Sequence, residues 1–312
     1  MSDGLRIRGL EVTFMNGQEK VRAVNSVDLC IHSGEKLGLI GETGCGKTIL
    51  GMAIMRLLNP DTLIRGQITC NGTSITSISE EEMRQMRGRE IAMIIQQSLT
   101  SLNPVITVGR QIAEAVELHQ GLSGREARAE VIRLLSEVGI PDPEIRLDCY
   151  PHEFSGGMNE RVMIAMALAG NPSFLIADEP TTGLDTTVKN RIISLLKDIS
   201  HERSMLFITH DLAAAAEICD RIAVMYCGEI VECATTEDIF RAPLHPYTQG
   251  LLASMPQRGL RPIRGTGPSL AAVPPGCRFC NRCRESRDCC TTEHPELREK
   301  RKGHYVRCFL YD

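Results

Sequence analysis

The sequence predicts an α/β fold in which short buried strands alternate with helices, joined to an antiparallel sheet near the amino end and a cysteine-rich tail. Five apolar runs separated by helix-like stretches predict parallel strands, because strands covered on both faces are continuously apolar. They are KLGLIG (36–41), IAMII (91–95), FLIAD (174–178), MLFIT (205–209) and IAVMY (222–226).

Three further patterns complete the predicted organisation. LRIRGLEVTF and VRAVNSVDLCI alternate apolar and polar residues, which indicates antiparallel strands with one solvated face. Between about 105 and 170 apolar residues recur every three or four positions, so we expect a helical insertion. After about 243 proline and glycine become frequent, which predicts a linker into the tail.

Composition limits the class of protein. The 312 residues carry a net charge of −4, and this balance gives no indication of a nucleic-acid partner. The opening MSDGLRIRGL has no signal-peptide pattern, and the longest apolar run, VMIAMALAG (162–170), is too short to span a bilayer. We therefore expect a cytoplasmic protein, in which thiols stay reduced and clustered cysteines indicate metal or redox chemistry.

The stretch GETGCGKT at 41–48 matches G-x-x-x-x-G-K-[ST] in full, between a predicted strand and a helix-like segment. Such a loop turns backbone N–H groups toward a phosphate at a helix N-terminus. We expect Lys47 to reach the β- and γ-phosphates and Thr48 to ligate Mg²⁺. A glycine-rich turn without a ligand is the alternative. The loop comprises Gly41, Glu42, Thr43, Gly44, Cys45, Gly46, Lys47 and Thr48.

Two other motifs carry groups suited to nucleotide chemistry. FLIADEP (174–180) ends a strand in two carboxylates: Asp178 suits Mg²⁺ and Glu179 suits activation of a water. FSGGMNER (154–161) presents Ser155 and two glycines at a helix start, a second anion-binding nest. Taken singly, each motif is better explained without a ligand, the first as a solvated loop and the second as a helix cap.

These motifs, with TTGLD (181–185) and FITHD (207–211), resemble the ATP-binding cassette of ABC transporters over residues 1–245. The resemblance implies a P-loop NTPase ABC cassette with a RecA-like core, an antiparallel β subdomain and a helical subdomain at about 100–170. A linker and tail follow at 246–312. It further implies an ATPase that binds ATP and Mg²⁺.

The resemblance also implies roles for individual residues. Phe14 matches the aromatic residue that stacks on adenine, with a core side chain as the alternative. Glu179, His210 and Lys47 are the implied catalytic residues. Residues 41–48, Phe14 and Gln96 are the implied ATP contacts, and Thr48, Gln96 and Asp178 are the implied Mg²⁺ ligands. Ser155, Gly156, Gly157 and Asp185 are the implied contacts to ATP held by a partner cassette.

Longer stretches narrow the resemblance to one branch. LTSLNPVITV, YPHEFSGGM and IFRAPLHPYTQGLLASMP resemble the ATPases of oligopeptide, dipeptide and nickel importers, and the tail cysteines extend the likeness over the whole chain. This implies a motor at the cytoplasmic face of the membrane, with a second ABC ATPase, two transmembrane permeases and an extracytoplasmic substrate-binding protein. The resemblance favours a paralogue as the second ATPase, and a second copy of this chain is the alternative. Peptides are the expected cargo and nickel is the alternative.

Six cysteines lie between positions 277 and 308. Four of them match the tail pattern of the resembled branch, which implies a [4Fe–4S] cluster; these are Cys277, Cys283, Cys290 and Cys308. Cys280 and Cys289 are additional, and a set built on C-x₂-C-x₂-C with Cys280 is a rival. Zn²⁺ also suits these thiols, with His294 and His304 nearby. Arginines among the cysteines either offset a cluster's charge or form a solvated face: Arg278, Arg282, Arg284 and Arg287.

Two other function classes remain as alternatives. A soluble ABC ATPase without a permease usually has two cassettes or a coiled-coil insertion, whereas only 108 positions separate Lys47 from Ser155, without a heptad run. A regulatory subunit that does not hydrolyse ATP is disfavoured because Glu179 and His210 are present.

Overall fold

A computed structural model describes residues 3–17, 19–96 and 101–311 and divides the chain into two compact units. Unit 1 comprises Met1–Thr76 and Phe207–Asp312, and unit 2 comprises Ser77–Leu206. The tail therefore belongs to the same unit as the amino-terminal strands. Within these described ranges, no helix has both the length and the apolar character needed to cross a membrane.

Unit 1 contains an antiparallel sheet with the strand order β2-β1-β4-β5. In β1 the buried residues are first Leu5 and Ile7, then Leu10 and Val12. The buried face changes from odd to even positions because the pairing register shifts around Gly9, as a β-bulge requires. The strands are β1 (Asp3–Asn16), β2 (Glu19–His32), β4 (Leu63–Cys70) and β5 (Thr73–Ser74).

The second sheet of unit 1 has the order β11-β12-β10-β9-β3. β3 and β9 are parallel and almost wholly buried, as their apolar runs predict, and the other neighbours pair antiparallel. The strands are β3 (Lys36–Ile40), β9 (Arg221–Tyr226), β10 (Glu229–Thr235), β11 (Arg298–Arg301) and β12 (His304–Val306). The helices include α1 (Lys47–Ile54), α8 (Leu212–Ile218), α9 (Thr236–Arg241), α10 (Pro246–Ala253) and α11 (Cys289–Thr292).

Unit 2 contains the parallel pair β6 (Ile91–Ile94) and β7 (Phe174–Asp178). Strand β8 (Ser204–Thr209) begins in unit 2 and ends in unit 1. The described residues between β6 and β7 are helical wherever they are regular, which confirms the expected helical subdomain. The helices are α2 (Glu80–Met86), α3 (Val108–Gln120), α4 (Gly124–Glu137), α5 (Pro143–Arg146), α6 (Gly156–Leu168) and α7 (Thr186–Ile199).

The tail is joined to the cassette by two buried carboxylates on β10. Glu229 accepts hydrogen bonds from Asn25 Nδ2 at 2.7 Å and His294 Nε2 at 3.0 Å, and it forms an ion pair with Arg278 Nε at 3.0 Å. Burial disfavours its charged form, but the bond with His294 and the charge of Arg278 hold the pKa of Glu229 below its ordinary value.

Glu232, whose side chain is completely buried, also has three polar partners. It accepts from the backbone N–H groups of Leu244 at 2.6 Å and His245 at 2.9 Å. Its third contact is with His304 Nε2 at 2.7 Å. The two carboxylates thus connect strand β10 to the tail at separate points.

A cluster of aromatic rings packs between the tail and the cassette. Phe279 is 4% exposed and meets Tyr226 edge-on at a centroid distance of 5.3 Å. Tyr247 and His245 lie within 5.4 and 5.9 Å of the same ring. Phe279 is therefore the principal apolar anchor of the tail.

We expect Phe279→Ala to lower the free energy of unfolding by about 3–5 kcal/mol, because it removes a buried ring and leaves a cavity. Chemical denaturation of the full chain measures the change. Leu118→Ala is the control: Leu118 is 65% exposed, so its loss costs less than about 0.5 kcal/mol. Equal stability of the two variants would show that the tail does not rely on this ring.

Candidate functional site

The loop at residues 41–48 adopts the strand–loop–helix arrangement that its motif predicts, between β3 and α1. Gly46 caps the helix in the left-handed conformation at φ 108°, and a Cβ there would collide with the carbonyl oxygen of Ala23. A Cβ at Gly41 would collide with the carbonyl oxygen of Met225. Glycine is required at both positions because neighbouring strands press against the loop backbone.

Lys47 is the first residue of α1 and is buried. Its Nζ donates to the carbonyl oxygen of Gly41 at 2.8 Å and to that of Glu42 at 3.1 Å. The buried thiol of Cys45 lies 3.9 Å from the same nitrogen. The Lys47 ammonium, at the end of the loop, is thus bonded to the backbone at the start of the loop.

Unit 1 also contains three other predicted site residues. Thr48 is exposed at the start of α1, and a hydroxyl that binds Mg²⁺ has to be accessible. Phe14 is half-buried in β1 and lies outside the fully buried core. His210 is exposed directly after β8.

In unit 2 the two carboxylates of FLIADEP have different environments. Asp178 ends the fully buried strand β7 and is itself 1% exposed. Glu179 is half-buried, and its Oε2 accepts a hydrogen bond from Thr182 Oγ1 at 2.9 Å. Its backbone φ of 51° lies in the left-handed region that non-glycine residues rarely adopt. Such strain is concentrated at functional sites.

The remaining predicted residues of unit 2 lie at segment ends. Ser155 is exposed and caps α6, where its Oγ accepts from Met158 N at 3.3 Å; Gly156 and Gly157 follow as the first helical residues. Asp185 caps α7 and accepts from the N–H groups of Thr187 and Val188. Gln96 is exposed just beyond β6, and residues 97–100 of the stretch that follows lie outside the described residues.

Five of the six tail cysteines line one cavity: Cys277, Cys280, Cys283, Cys290 and Cys308. Cys289 is not among them. Burial is the main reason that the pKa of Cys277 is raised to about 12 and that of Cys308 to about 11, and neighbouring thiols act in the same direction. The structure thus brings the four pattern-matching cysteines together with Cys280, in the donor chemistry that soft metals and clusters require.

The arrangement nevertheless gives no direct support to a metal. Within residues 3–17, 19–96 and 101–311, no group of three or more His, Cys, Asp or Glu side chains is placed to hold a metal ion. The cavity has a free volume of about 10 Å³, the space of about one water molecule. The two histidines that we considered for Zn²⁺ are instead paired with Glu229 and Glu232.

Sequence reasoning missed the contribution of the tail arginines to the site. Arg278 and Arg282 are buried, so they do not belong to a solvated face. Arg278 pairs with Glu229 and donates to the carbonyl oxygen of Cys227, and Arg282 pairs with Glu42 in the phosphate loop. No local signal announces these pairs, because each joins segments far apart in the sequence.

Comparison with known families matches two regions of the chain. The family described as ABC transporter matches residues 24–182, and the family described as Oligopeptide/dipeptide transporter, C-terminal region, matches residues 231–290. The second match contains the linker and five of the six tail cysteines.

Similar proteins align over nearly the whole length. The chain is 44% identical to the oligopeptide transport ATP-binding protein AppD of Bacillus subtilis, covering 100% of this chain and 98% of that one. It is 44% identical to the dipeptide transport ATP-binding protein DppD of the same organism, covering 100% and 96%. The solved dimeric structure of the ATP-binding cassette MJ0796 bound to ADP and Pi matches with a TM-score of 0.67 and 26% identity, covering 74% of this chain and 98% of that one.

We expect Gly41→Ala to destabilise the chain by about 1–3 kcal/mol, because the new methyl group meets a backbone oxygen that cannot move independently of β9. Thermal unfolding measures the change. Gly34→Ala is the control, since nothing lies within 4 Å of its Cβ position and only the left-handed backbone at φ 78° opposes it. That penalty is about 1–2 kcal/mol. A Gly41→Ala chain as stable as the wild-type chain would contradict the close packing described for the loop.

Proposed function

This chain belongs to the ABC transporter family of ATP-hydrolysing cassettes, and we propose that it is the motor subunit of an importer for di- or oligopeptides. The observation that carries the proposal is the presence, in one chain, of the phosphate loop and the C-terminal region of oligopeptide/dipeptide transporters. Full-length relatives named for oligopeptide and dipeptide transport favour peptides over nickel. The same C-terminal match favours an importer over a soluble ATPase without a permease.

The phosphate loop supplies the ATP-binding half of the proposed mechanism. Its N–H groups and the start of α1 hold the phosphates, and Lys47 neutralises the charge that develops during phosphoryl transfer. Thr48, Asp178 and Gln96 are the proposed Mg²⁺ ligands, and Mg²⁺ supplies further charge neutralisation at the phosphates. Phe14 is proposed to stack on the adenine, which its half-buried position supports.

Glu179 is the proposed general base. Its carboxylate lies one residue beyond β7 and is oriented by Thr182, and its strained backbone turns it away from the course of the strand. A carboxylate in this position takes the proton of the water that attacks the γ-phosphate. His210 is proposed to complete the catalytic set, because it is exposed at the end of another strand.

The second half of the site is proposed to come from a partner ATPase. Ser155, Gly156 and Gly157 present an exposed helix start, which suits the γ-phosphate of an ATP held by the other cassette. Asp185 is proposed to act at the same interface. A similar cassette has been solved as a dimer, which supports pairing with a second ABC ATPase. We propose that this second ATPase is a paralogue and not another copy of the chain.

The importer assignment implies partners in and beyond the membrane. We propose that the two ATPases bind two transmembrane permeases at the cytoplasmic face and that an extracytoplasmic binding protein delivers the peptide. Closure and separation of the cassettes around ATP is the motion that drives transport.

We expect Glu179→Gln to lower ATP turnover of the assembled complex by about 10²–10⁴-fold while ATP binding persists, because only the base is removed. Turnover and nucleotide affinity are measured together, and cells carrying the variant are tested for uptake of labelled peptides and of nickel. Glu202→Gln, at an exposed position, is the control. Loss of nickel uptake with normal peptide uptake would contradict the peptide assignment. ATP turnover at the wild-type rate would show that Glu179 is not the general base.

For the tail, we propose that the cysteines hold a [4Fe–4S] cluster that fastens the tail loops. The gathering of Cys277, Cys283, Cys290 and Cys308 around one cavity, with Cys280 beside them, supports the donor set. A bound cluster supplies cross-links between loops, and the raised thiol pKa values mean that loading releases protons.

We expect anaerobically purified chain to contain about four iron and four acid-labile sulfide, both lost in Cys283→Ser. Iron, sulfide and zinc analysis with an absorption spectrum measures this. Cys289→Ser, which lies outside the cavity, is the matched control and keeps its iron. Stoichiometric zinc without sulfide would replace the cluster by a zinc site, and neither metal would leave the tail held by its protein contacts alone.

A further inference from the structure

The tail contacts the phosphate loop through Arg282. Its guanidinium forms two parallel hydrogen bonds with the Glu42 carboxylate: Nη1 donates to Oε2 at 2.8 Å and Nη2 donates to Oε1 at 2.9 Å. This two-bond geometry is the strongest pairing of arginine with a carboxylate. The Arg282 side chain is 7% exposed and that of Glu42 is 35% exposed, so the guanidinium is largely withdrawn from water while the carboxylate keeps partial contact with it.

Arg282 is fixed on every side. Its Nε donates to the carbonyl oxygen of Arg264 at 3.0 Å, and Nη1 also donates to the Tyr226 hydroxyl at 3.3 Å. The guanidinium carbon lies 5.8 Å from the ring centroids of both Tyr226 and Phe279, within range of a cation–π contact. The bonds with Glu42 raise the pKa of Arg282, so its charge is permanent. It cannot leave Glu42 without breaking several other contacts.

Glu42 is in turn connected to the catalytic lysine. Its backbone N–H donates to the Tyr247 hydroxyl at 2.9 Å, and its carbonyl oxygen accepts from Lys47 Nζ at 3.1 Å. The backbone of Glu42 therefore contributes to the position of the Lys47 ammonium, together with the carbonyl oxygen of Gly41, which accepts from the same nitrogen at 2.8 Å. Tyr247 contacts the Glu42 backbone and Arg282 contacts its side chain, both from outside the loop.

The charge of Glu42 makes the contact consequential. A carboxylate within a loop that binds a polyphosphate repels the ligand, and a half-buried carboxylate is only partly screened by solvent. Arg282 cancels this charge by direct pairing. Arg282 is the last residue of the short 3₁₀ turn Cys280–Arg282. It lies in the sequence between Cys280 and Cys283, whose side chains line the cysteine cavity, so the tail loop determines where the guanidinium lies.

We propose that Arg282 is a positioning residue of the ATP site: it neutralises Glu42 and, through the Glu42 peptide, holds the Lys47 ammonium in place. This inference rests on the proposed role of residues 41–48 in binding ATP. It extends the site to a residue 240 positions away in the sequence, within the tail.

The test is a double-mutant cycle on the purified full-length chain, with affinity for a fluorescent ATP analogue as the readout. We expect Arg282→Ala to weaken binding about tenfold, the effect of removing one partner of a desolvated charge pair, reduced for the exposure of Glu42. Glu42→Gln added to Arg282→Ala restores most of the affinity, because no unpaired carboxylate then remains. In ATPase assays, Arg282→Ala raises KM more than it lowers kcat.

Arg284→Ala is the matched control, because it removes the same charge from an exposed position two residues away in the same loop and keeps wild-type affinity. Wild-type affinity in Arg282→Ala, or a double variant as weak as Arg282→Ala, overturns the proposal. If Arg282→Ala does not fold, the same comparison is made with Arg282→Lys, alone and combined with Glu42→Gln. Affinity of the Arg282→Lys chain equal to that of the wild-type chain overturns the proposal.

A Lys47→Ala chain separates this inference from the proposed function. If the wild-type chain binds the nucleotide no better than Lys47→Ala does, the ATP-site assignment itself fails. If the wild-type chain binds and Arg282→Ala binds equally well, only the role of Arg282 fails.

Discussion

Two carboxylates buried on β10, Glu229 and Glu232, are the constraint on which the rest of unit 1 depends. A buried charge without partners is costly, and removing one partner of such a pair costs about 3–5 kcal/mol. Each carboxylate takes its partners from segments distant in the sequence, including Arg278, His294 and His304 of the tail. The tail must therefore be docked for β10 to be satisfied.

This docking explains why the tail belongs to the same compact unit as the nucleotide loop. Strand β12 of the tail pairs with β10, which pairs with β9, and β9 presses its Met225 carbonyl oxygen against Gly41. The turn after β9 is bonded to the loop as well, since the Gly228 N–H donates to the Cys45 carbonyl oxygen. The tail and the phosphate loop are thus connected through packed backbone.

The loop is accordingly shaped from two directions. At its two ends the loop is joined to β3 and α1, and its glycines permit the turn between them. From outside, Tyr247 and Arg282 hold the Glu42 peptide and side chain. Because phosphoryl transfer depends mainly on positioning and charge stabilisation, contacts that fix the loop without touching the nucleotide still influence the reaction. Under the proposed role of Arg282, the cysteine-rich tail contributes to the position of the phosphate loop.

The sequence alone determined the features that depend on local pattern. Continuous apolar runs placed the buried strands, helical periodicity placed the insertion, and the glycine spacing of 41–48 located the phosphate loop, since each depends on backbone geometry within a few residues. The register shift at Gly9, the burial of Arg278 and Arg282 and the pairing of His294 and His304 with glutamates were decided only by the tertiary structure. These are contacts between segments up to 240 residues apart. Such contacts leave no periodicity in the sequence, because they arise only when buried charges must find partners in a packed interior.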